Sequence, residues 1–421
     1  MKKFLRSKFL PILIILALAL FLTSDFGVID VEKTAIIVAL GVDKNEKEYE
    51  VTAQIAIPKA TDSSTSNSGA TVTGKGKTLA DAVDDIGVTT GWYPLLAFCN
   101  LIVIGNDALK GDVMTFIDYF NRTDKIPDSS LLVASDGKAK DVLAATTPLD
   151  SVPAFAIEKV LVKDLAKLDR ISFTNVKDFS KGYFSKSRSS YMPLIKEVNA
   201  NADNPGAGQG GGEKSNGENG GGSQGGGGSE SGGGSQGGGG SQGGGQQIFD
   251  CTETLIFQNG IKVGKLDEEQ ALFFNITRHR TKDTYFDLEN AMIDGKPYAM
   301  TLGIDEEKKK FRLRMDGTPV YQIDLVLKCH VEDLNKSEEV SKLFTTEEIS
   351  RQVLKQAEDK IKGIYEKTFR QLKETGCDLF GLRNDLYKFH HNRYAEFKDD
   401  ILQKAVIKTN VKCKVERNTR A

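Results

Sequence analysis

Histidine is scarce in this chain of 421 residues, with only His279, His330, His390 and His391, and that scarcity already narrows the chemistry. None has the i, i+4 spacing of a helical zinc pair, and the adjacent His390 and His391 diverge on a helix or a strand, so no metal site is expected. Hydrolase signatures are missing too. No Gly-x-Ser-x-Gly or His-Glu-x-x-His occurs, and the paired carboxylates Asp84-Asp85 and Asp399-Asp400 are sequential, so they point apart. The sequence therefore offers no catalytic residue, no cofactor-binding residue and no metal ligand, and it reads as a non-enzyme. An excess of one charge is absent as well: 56 basic against 58 acidic residues, a formal net of −2, argue against a nucleic-acid partner. Cysteine is sparse and dispersed (Cys99, Cys251, Cys329, Cys377, Cys413), odd in number and without Cys-x-x-Cys. Cys99 and Cys413 sit in apolar patterns and read as small hydrophobes.

A long apolar run is also missing. The longest candidate, Phe9 to Leu22, lies in an uncharged stretch ending at Ser24 that makes about 24 Å of helix, against a hydrocarbon core of roughly 30 Å. Four cations (Lys2, Lys3, Arg6, Lys8) precede it and no acid appears before Asp25, so the chain after it is expected outside the cytoplasm. Residues 1–24 fit a short uncleaved anchor and a cleaved signal segment equally well. Ala17-Leu18-Ala19 has the small-x-small form of a cleavage site but lies inside the run, and Leu22-Thr23-Ser24 has a bulky outer residue.

What is abundant is glycine, and it is concentrated. Between Gly206 and Gly245, 23 of 40 residues are Gly, with Ser and Gln filling most of the rest. Such a stretch has no apolar surface to offset its ordering entropy, so residues 201–247 are expected to be a flexible linker. On that reading the chain divides into the N-terminal segment 1–24, an α/β domain over 25–200, the linker, and a second α/β domain over 248–421. With a coil span of roughly 35 to 40 Å for such a linker, the two halves are expected to reorient freely unless they dock directly, and to fold separately.

Periodicity supplies the elements. Thr34 to Val42 and Tyr49 to Ile57 read as a hairpin across the polar turn Asp43 to Glu48. Thr78, with Asp81 three residues on, opens a helix to about Thr89. A buried strand from Phe98 to Ile104, a helix from Gly111 to Asn121, a strand over Leu131 to Ser135 and a short helix over Ala139 to Ala145 follow, an alternation that indicates mixed α/β structure. Past the linker, Asn259-Gly260 marks a hairpin between Thr254 to Phe257 and Ile261 to Leu266. Asp316-Gly317 separates strands over Phe311 to Met315 and Tyr321 to Val331. A helix from Thr346 to about Lys373 carries Val353, Ile361, Ile364 and Phe369 on one stripe and Lys360 on its polar side, and ends at Gly376. In the last strand Ile407, Thr409, Val411, Cys413 and Val415 alternate with polar residues. Its lysines, with Lys404, Arg417 and Arg420, fit a solvated edge better than a surface for anionic lipid or an acidic partner. The near misses to a phosphate loop between Gly69 and Thr78 lack the required glycine or hydroxyl spacing and a preceding apolar strand, so nucleotide binding is not expected.

Several of these fragments resemble, in order, the Ger(x)C family of spore germination proteins. Leu40-Gly41-Val42-Asp43 is similar to the family's strand ending in Gly-Ile-Asp, and Gly76-Lys77-Thr78-Leu79-Ala80-Asp81-Ala82 to its helix opening. Phe98 to Gly105, Ile117 to Arg122 and Leu132 to Ala139 resemble the strand, helix and strand that follow. Leu255 to Leu266 resembles its hairpin, and Gly376-Cys377-Asp378-Leu379-Phe380-Gly381-Leu382 its Asp-x-Phe-Gly segment. The family's apolar run usually closes on a lipobox Leu-Thr-Gly-Cys. Here Leu22-Thr23-Ser24 is followed by Asp25, and a carboxylate cannot replace the acceptor thiolate, so lipidation is not expected. The resemblance implies an α/β (α+β), multi-domain fold of mixed sheets packed with helices. It implies a non-enzymatic C subunit of a nutrient germinant receptor, on the outer face of the spore inner membrane beside the integral-membrane A and B subunits. An exported, anchored adhesin or ligand-binding module that kept the fold is the alternative. Family members usually lack so large a linker, and its imperfect repeat with Glu213, Lys214, Glu218 and Glu230 favours natural slippage over an engineered insert.

Overall fold

The computed structural model describes residues 11, 13–18, 33–57, 69–148, 150–162, 170–199, 247–278, 284–293, 295–334 and 351–415. Two sheets organise them. The first has ten strands along the order β10-β9-β8-β6-β5-β1-β2-β3, with two short strands off that path. Its centre is parallel: β1 (Thr34–Lys44), β5 (Leu101–Ile104), β6 (Leu131–Ser135) and β8 (Ser189–Asn199) run alike. On one flank β2 (Tyr49–Ala56) and β3 (Gly69–Gly76) continue antiparallel from β1, as the alternating sequence of that hairpin demands. The short strands β4 (Tyr93–Leu95) and β7 (Thr174–Asn175) pair with β1 and β6. Apolar runs such as Leu101-Ile102-Val103-Ile104 bury every residue, because helices cover both faces. Helices α1 (Leu79–Thr90), α2 (Met114–Arg122) and α5 (Val176–Phe184) bury Val83, Ile117 and Phe179 with Leu40, Ile102 and Leu132 on one side. Helices α3 (Ala139–Ala144) and α4 (Pro153–Val162) enclose Val38, Val103 and Val133 on the other.

The other flank of this sheet comes from beyond the Gly-rich stretch. Strand β9 (Gln247–Gln258) pairs antiparallel with β8 over nearly its whole length, from Ser189↔Gln258 to Asn199↔Gln247, and β10 (Ile261–Leu266) adds to its far edge. Residues 200–246, outside the described residues, thus join directly facing strand ends. The expected free reorientation of two halves does not hold, because the first hairpin of the second half completes the sheet of the first. Closing so long a loop costs only slowly more entropy as it lengthens, whereas a paired strand satisfies a full edge of backbone groups.

The second sheet, β11 (Thr284–Ile293), β12 (Lys296–Arg314), β13 (Val320–Leu334) and β14 (Val406–Val415), is antiparallel except for the final parallel pair. One face packs on α7 (Arg351–Thr375), whose stripe of Val353, Ile361, Tyr365 and Phe369 is buried against Leu302, Ile323, Leu325 and Leu327. β14 is an edge strand with Lys408, Lys412 and Lys414 exposed and Thr409 and Cys413 buried, as its alternation indicates. Arg417 and Arg420 lie outside the described residues.

Some sequence expectations need correction. The strand expected from Phe98 begins at Leu101, since Phe98 lies exposed in a turn, and the helix expected from Gly111 begins at Met114. Lys360, expected to point to solvent, instead donates to the Asp287 carbonyl at 2.6 Å and pairs with Glu269 at 2.5 Å, joining α7 to β11 and to α6 (Glu268–Arg278). Asp25 and half of the Phe9 to Leu22 run lie outside the described residues. Among the described residues no helix is long and apolar enough to cross a membrane.

Candidate functional site

The matched motifs turn out to be joints of the scaffold. Asp43, ending β1, is buried and accepts the backbone N–H groups of Ala139 (2.9 Å) and Lys140 (3.0 Å), so it holds the start of α3. Burial raises its carboxyl above the ordinary value, and those two N–H groups pull against the rise. Thr78 caps α1 by accepting from Asp81 N–H, while Asp81 accepts from Lys77 N–H, a capping box whose return bond is shifted one residue ahead of the cap. The glycines that suggested a phosphate loop lie in β3 because α1 crosses them. A Cβ at Gly74 would sit 2.2 Å from the Ala82 carbonyl, and one at Gly76 2.4 Å from the Ala82 nitrogen. At the hairpin between β9 and β10, Asn259 and Gly260 both take positive φ (52° and 77°), as a primed two-residue turn requires.

The last motif joins the two sheets. After α7, Gly376 (φ 69°) lets Cys377 N–H reach the Leu372 carbonyl and Gly376 N–H reach that of Lys373, a Schellman stop. The chain then dives under the first sheet. Asp378 is fully buried and accepts the N–H groups of Leu382 and Arg383 at 2.8 Å each, starting α8 (Leu382–Phe389). Gln258, at the end of β9, accepts Asp378 N–H (3.3 Å) and the Ser189 hydroxyl (2.6 Å), and Asn384 accepts Ser187 N–H (3.3 Å). Around these bonds Ile256, Leu266, Phe274, Leu372, Cys377 and Leu379 form a shared apolar cluster.

Beside this joint opens a cleft of about 550 Å³. Phe274 and Arg278 from α6, Phe311 and Arg312 from β12, and Phe380 and Asp385 from the joint line it. Tyr321 and Phe369 stack on Phe380 at centroid distances of 5.6 and 6.4 Å, which fixes its ring. The two guanidinium groups differ in their engagement. Arg312 pairs with Asp324 at 2.6 Å, whereas Arg278 lies over the Tyr191 and Phe274 rings. Asp385 is half-buried and forms no hydrogen bond through its carboxylate to the described residues. Burial, then the nearby Asp378 charge, pushes its carboxyl up to about 6. A concave site with aromatic walls, two guanidiniums and one unsatisfied carboxyl suits recognition of a polar group on an apolar body.

The histidines do not converge. His330 lies between Asp305 (2.9 Å) and Glu332 (2.8 Å). Burial opposes its charge, but these two bonds outweigh that and raise its pKa. His390 bonds the Leu313 carbonyl, His391 stacks on Tyr394, and His279 lies outside the described residues. Among the described residues no group of His, Cys, Asp and Glu is placed to hold a metal ion, and all five cysteines are buried free thiols. Asp85 accepts Lys75 N–H and Asp400 pairs with Lys404, so neither sequential acid pair forms a site. Asp385 escaped the sequence reading because the residues that line its cleft come from α6, β12 and β13, all distant in the chain. Its only signal was its position seven residues after Asp378, behind the Asp-x-Phe-Gly motif.

Comparison with known proteins agrees with this motif order. The model for the spore germination protein N-terminal domain matches residues 27–197, and that for the spore germination B3/GerAC-like C-terminal domain matches residues 252–419. Spore germination protein B3 of Bacillus subtilis (strain 168) is 29% identical over 129 residues, 30% of this chain and 34% of that protein. The putative spore germination protein YfkR of the same organism is 24% identical over 170 residues, 38% of this chain and 43% of that protein. The matched stretches thus span less than half of either relative. The crystal structure of the GerBC protein aligns with a TM-score of 0.46 at 16% identity, covering 92% of this chain and 99% of that one.

Proposed function

This chain belongs to the GerAC-like family of spore germination proteins, and from that premise we propose that it is a non-enzymatic subunit of a germinant receptor. In this reading it stands on the outer face of the spore inner membrane, assembles with the integral-membrane A and B subunits, and supports nutrient-triggered germination. The observation that carries the reading is the match of both family domains, in order, on either side of the Gly-rich stretch. Deleting the gene in its native host tests it: nutrient germination should fail while a trigger that bypasses receptors still works. Normal nutrient germination without the chain would overturn the reading. Because Asp25 stands where the family's lipidated Cys would be, membrane retention is assigned to the Phe9 to Leu22 run. Metabolic labelling with a palmitate analogue should leave the protein unlabelled, and a lipid-dependent mobility shift would refute that assignment.

The second reading, a ligand-binding module, is favoured by the cleft at Asp385. Asp385→Asn in the native receptor separates the two. Unchanged response to nutrient with the receptor assembled supports a purely structural subunit, and a shifted nutrient dose supports ligand contact.

A further inference from the structure

At the end of the first sheet where the chain enters β1, the described residues leave an apolar surface uncovered. Thr34, Ala35 and Ile36 open β1 and pair with β4, while Ile55 and Ala56 close β2 beside the start of β3. Together with Val72 and Trp92 they line a groove of about 720 Å³. Of its lining, Trp92 is 49% exposed and Ile57 50%, and Tyr93, next to Trp92 in the chain, is 38% exposed. Single exposed apolar residues need no explanation, but three large ones beside one groove mark a contact surface.

Two observations choose the occupant. The first is chain geometry. Residues 23–33 separate Leu22 from Thr34 and reach at most about 40 Å when fully extended, so whatever holds the apolar run keeps this end of the sheet close by. Within that run Pro11 and Leu13–Leu18 are helical, and Leu13, Ile14, Ile15, Leu16 and Leu18 are exposed on every side of the helix instead of packing on the protein. A helix apolar all round needs an apolar environment, which the described residues do not supply. The second is residue type. Trp and Tyr have an apolar body and a polar tip, the combination favoured at the level of lipid headgroups.

We propose that this end of the first sheet, with Trp92 at its tip, rests in the headgroup layer of the membrane that holds the N-terminal run. The proposal rests on the reading of that run as a membrane anchor. It orients the molecule with β1 starting at the lipid surface.

The test uses the full chain and its single tryptophan. The protein is reconstituted with vesicles of phosphatidylcholine and phosphatidylglycerol, and flotation is scored together with Trp92 fluorescence. Phospholipids brominated near the headgroup end of the acyl chains should quench the emission about twofold, while aqueous acrylamide should quench it weakly. The substitution Ile57→Asp, at an exposed residue of the groove, should reduce lipid quenching without loss of fold. Protein that floats with Trp92 open to acrylamide and untouched by brominated lipid would overturn the proposal and leave the anchor intact. Protein that floats with Trp92 shielded from both quenchers would also overturn it, since protein would then cover the groove. Failure to float would remove the anchor reading and the proposal with it.

Discussion

The two sheets bury their strands in different ways. β5 and β6 are covered on both faces, with Ile102 and Leu132 facing one core and Val103 and Val133 the other. β13 alternates, sending Tyr321, Ile323, Leu325 and Leu327 onto α7 and leaving the intervening residues partly open. The first sheet also depends on pairing between strands separated by the Gly-rich stretch, whereas β11 to β13 of the second are successive neighbours. A sheet buried on both faces needs every strand position filled, so it draws a hairpin from the far half of the chain. A sheet buried on one face is closed by a single long helix. The two candidate surfaces follow the same division: the second sheet and the joint carry the cleft, and the first carries the groove lined by Trp92.

The largest expected effect falls on the second sheet. Phe369→Ala in the full chain should cost about 3 to 5 kcal/mol, because the ring is buried and stacks on Phe380. Lys362→Ala on the exposed side of the same helix should change stability by no more than about 0.5 kcal/mol. Chemical denaturation followed by circular dichroism measures both. Equal effects would mean that α7 does not close this sheet.

In the first sheet, Asp43→Ala strips the acceptor from two buried N–H groups and should cost about 1 to 3 kcal/mol. Its unfolding can be followed by Trp92 fluorescence, which reports on this sheet alone. If the sheets are coupled as described, the fluorescence and circular dichroism transitions of the variant move together. A shift confined to the fluorescence transition would show two independent units.

A smaller effect of opposite sign is expected in the cleft. The folded-state carboxyl of Asp385 titrates at about 6, above its ordinary value near 3.9. Between those values the folded state holds the proton more tightly, so stability falls as pH rises through this window and stays lower above it. Asp385→Asn removes the penalty and should stabilise the protein by on the order of 1 kcal/mol at pH 7.5, with little change near pH 3.5. A difference that persists at the lower pH would assign the effect to packing.

How much of this could be read beforehand followed the same contrast. Local signals survived: the Thr78 capping box, the Asn259-Gly260 turn, the Leu131–Ser135 strand and the stripe of α7 all lie within one or two turns of chain. The α/β class followed from their alternation. Non-local pairings left no such mark. Pro193 masks β8 in the sequence by interrupting its strand pattern, yet β6 pairs with β8 only from Leu194 onward, so no ladder bond to β6 is lost there. The middle of β12 reads as a charged loop over Glu306 to Lys310, but the ladder continues through it, and Lys309 donates to the Ile276 carbonyl at 2.5 Å. The Asp-x-Phe-Gly segment was visible as a motif, while the cleft beside it depends on where α6 and β12 arrive.

The pairing of β8 with β9 is tested most directly by cutting the chain between them. A broad-specificity protease applied briefly to the native protein should cleave within residues 201–246 and yield two fragments. On size exclusion in native buffer they should co-elute as one species of the intact protein's size and separate only in denaturant. Fragments that part in native buffer, each compact and folded, would contradict the continuous ten-stranded sheet on which this account depends.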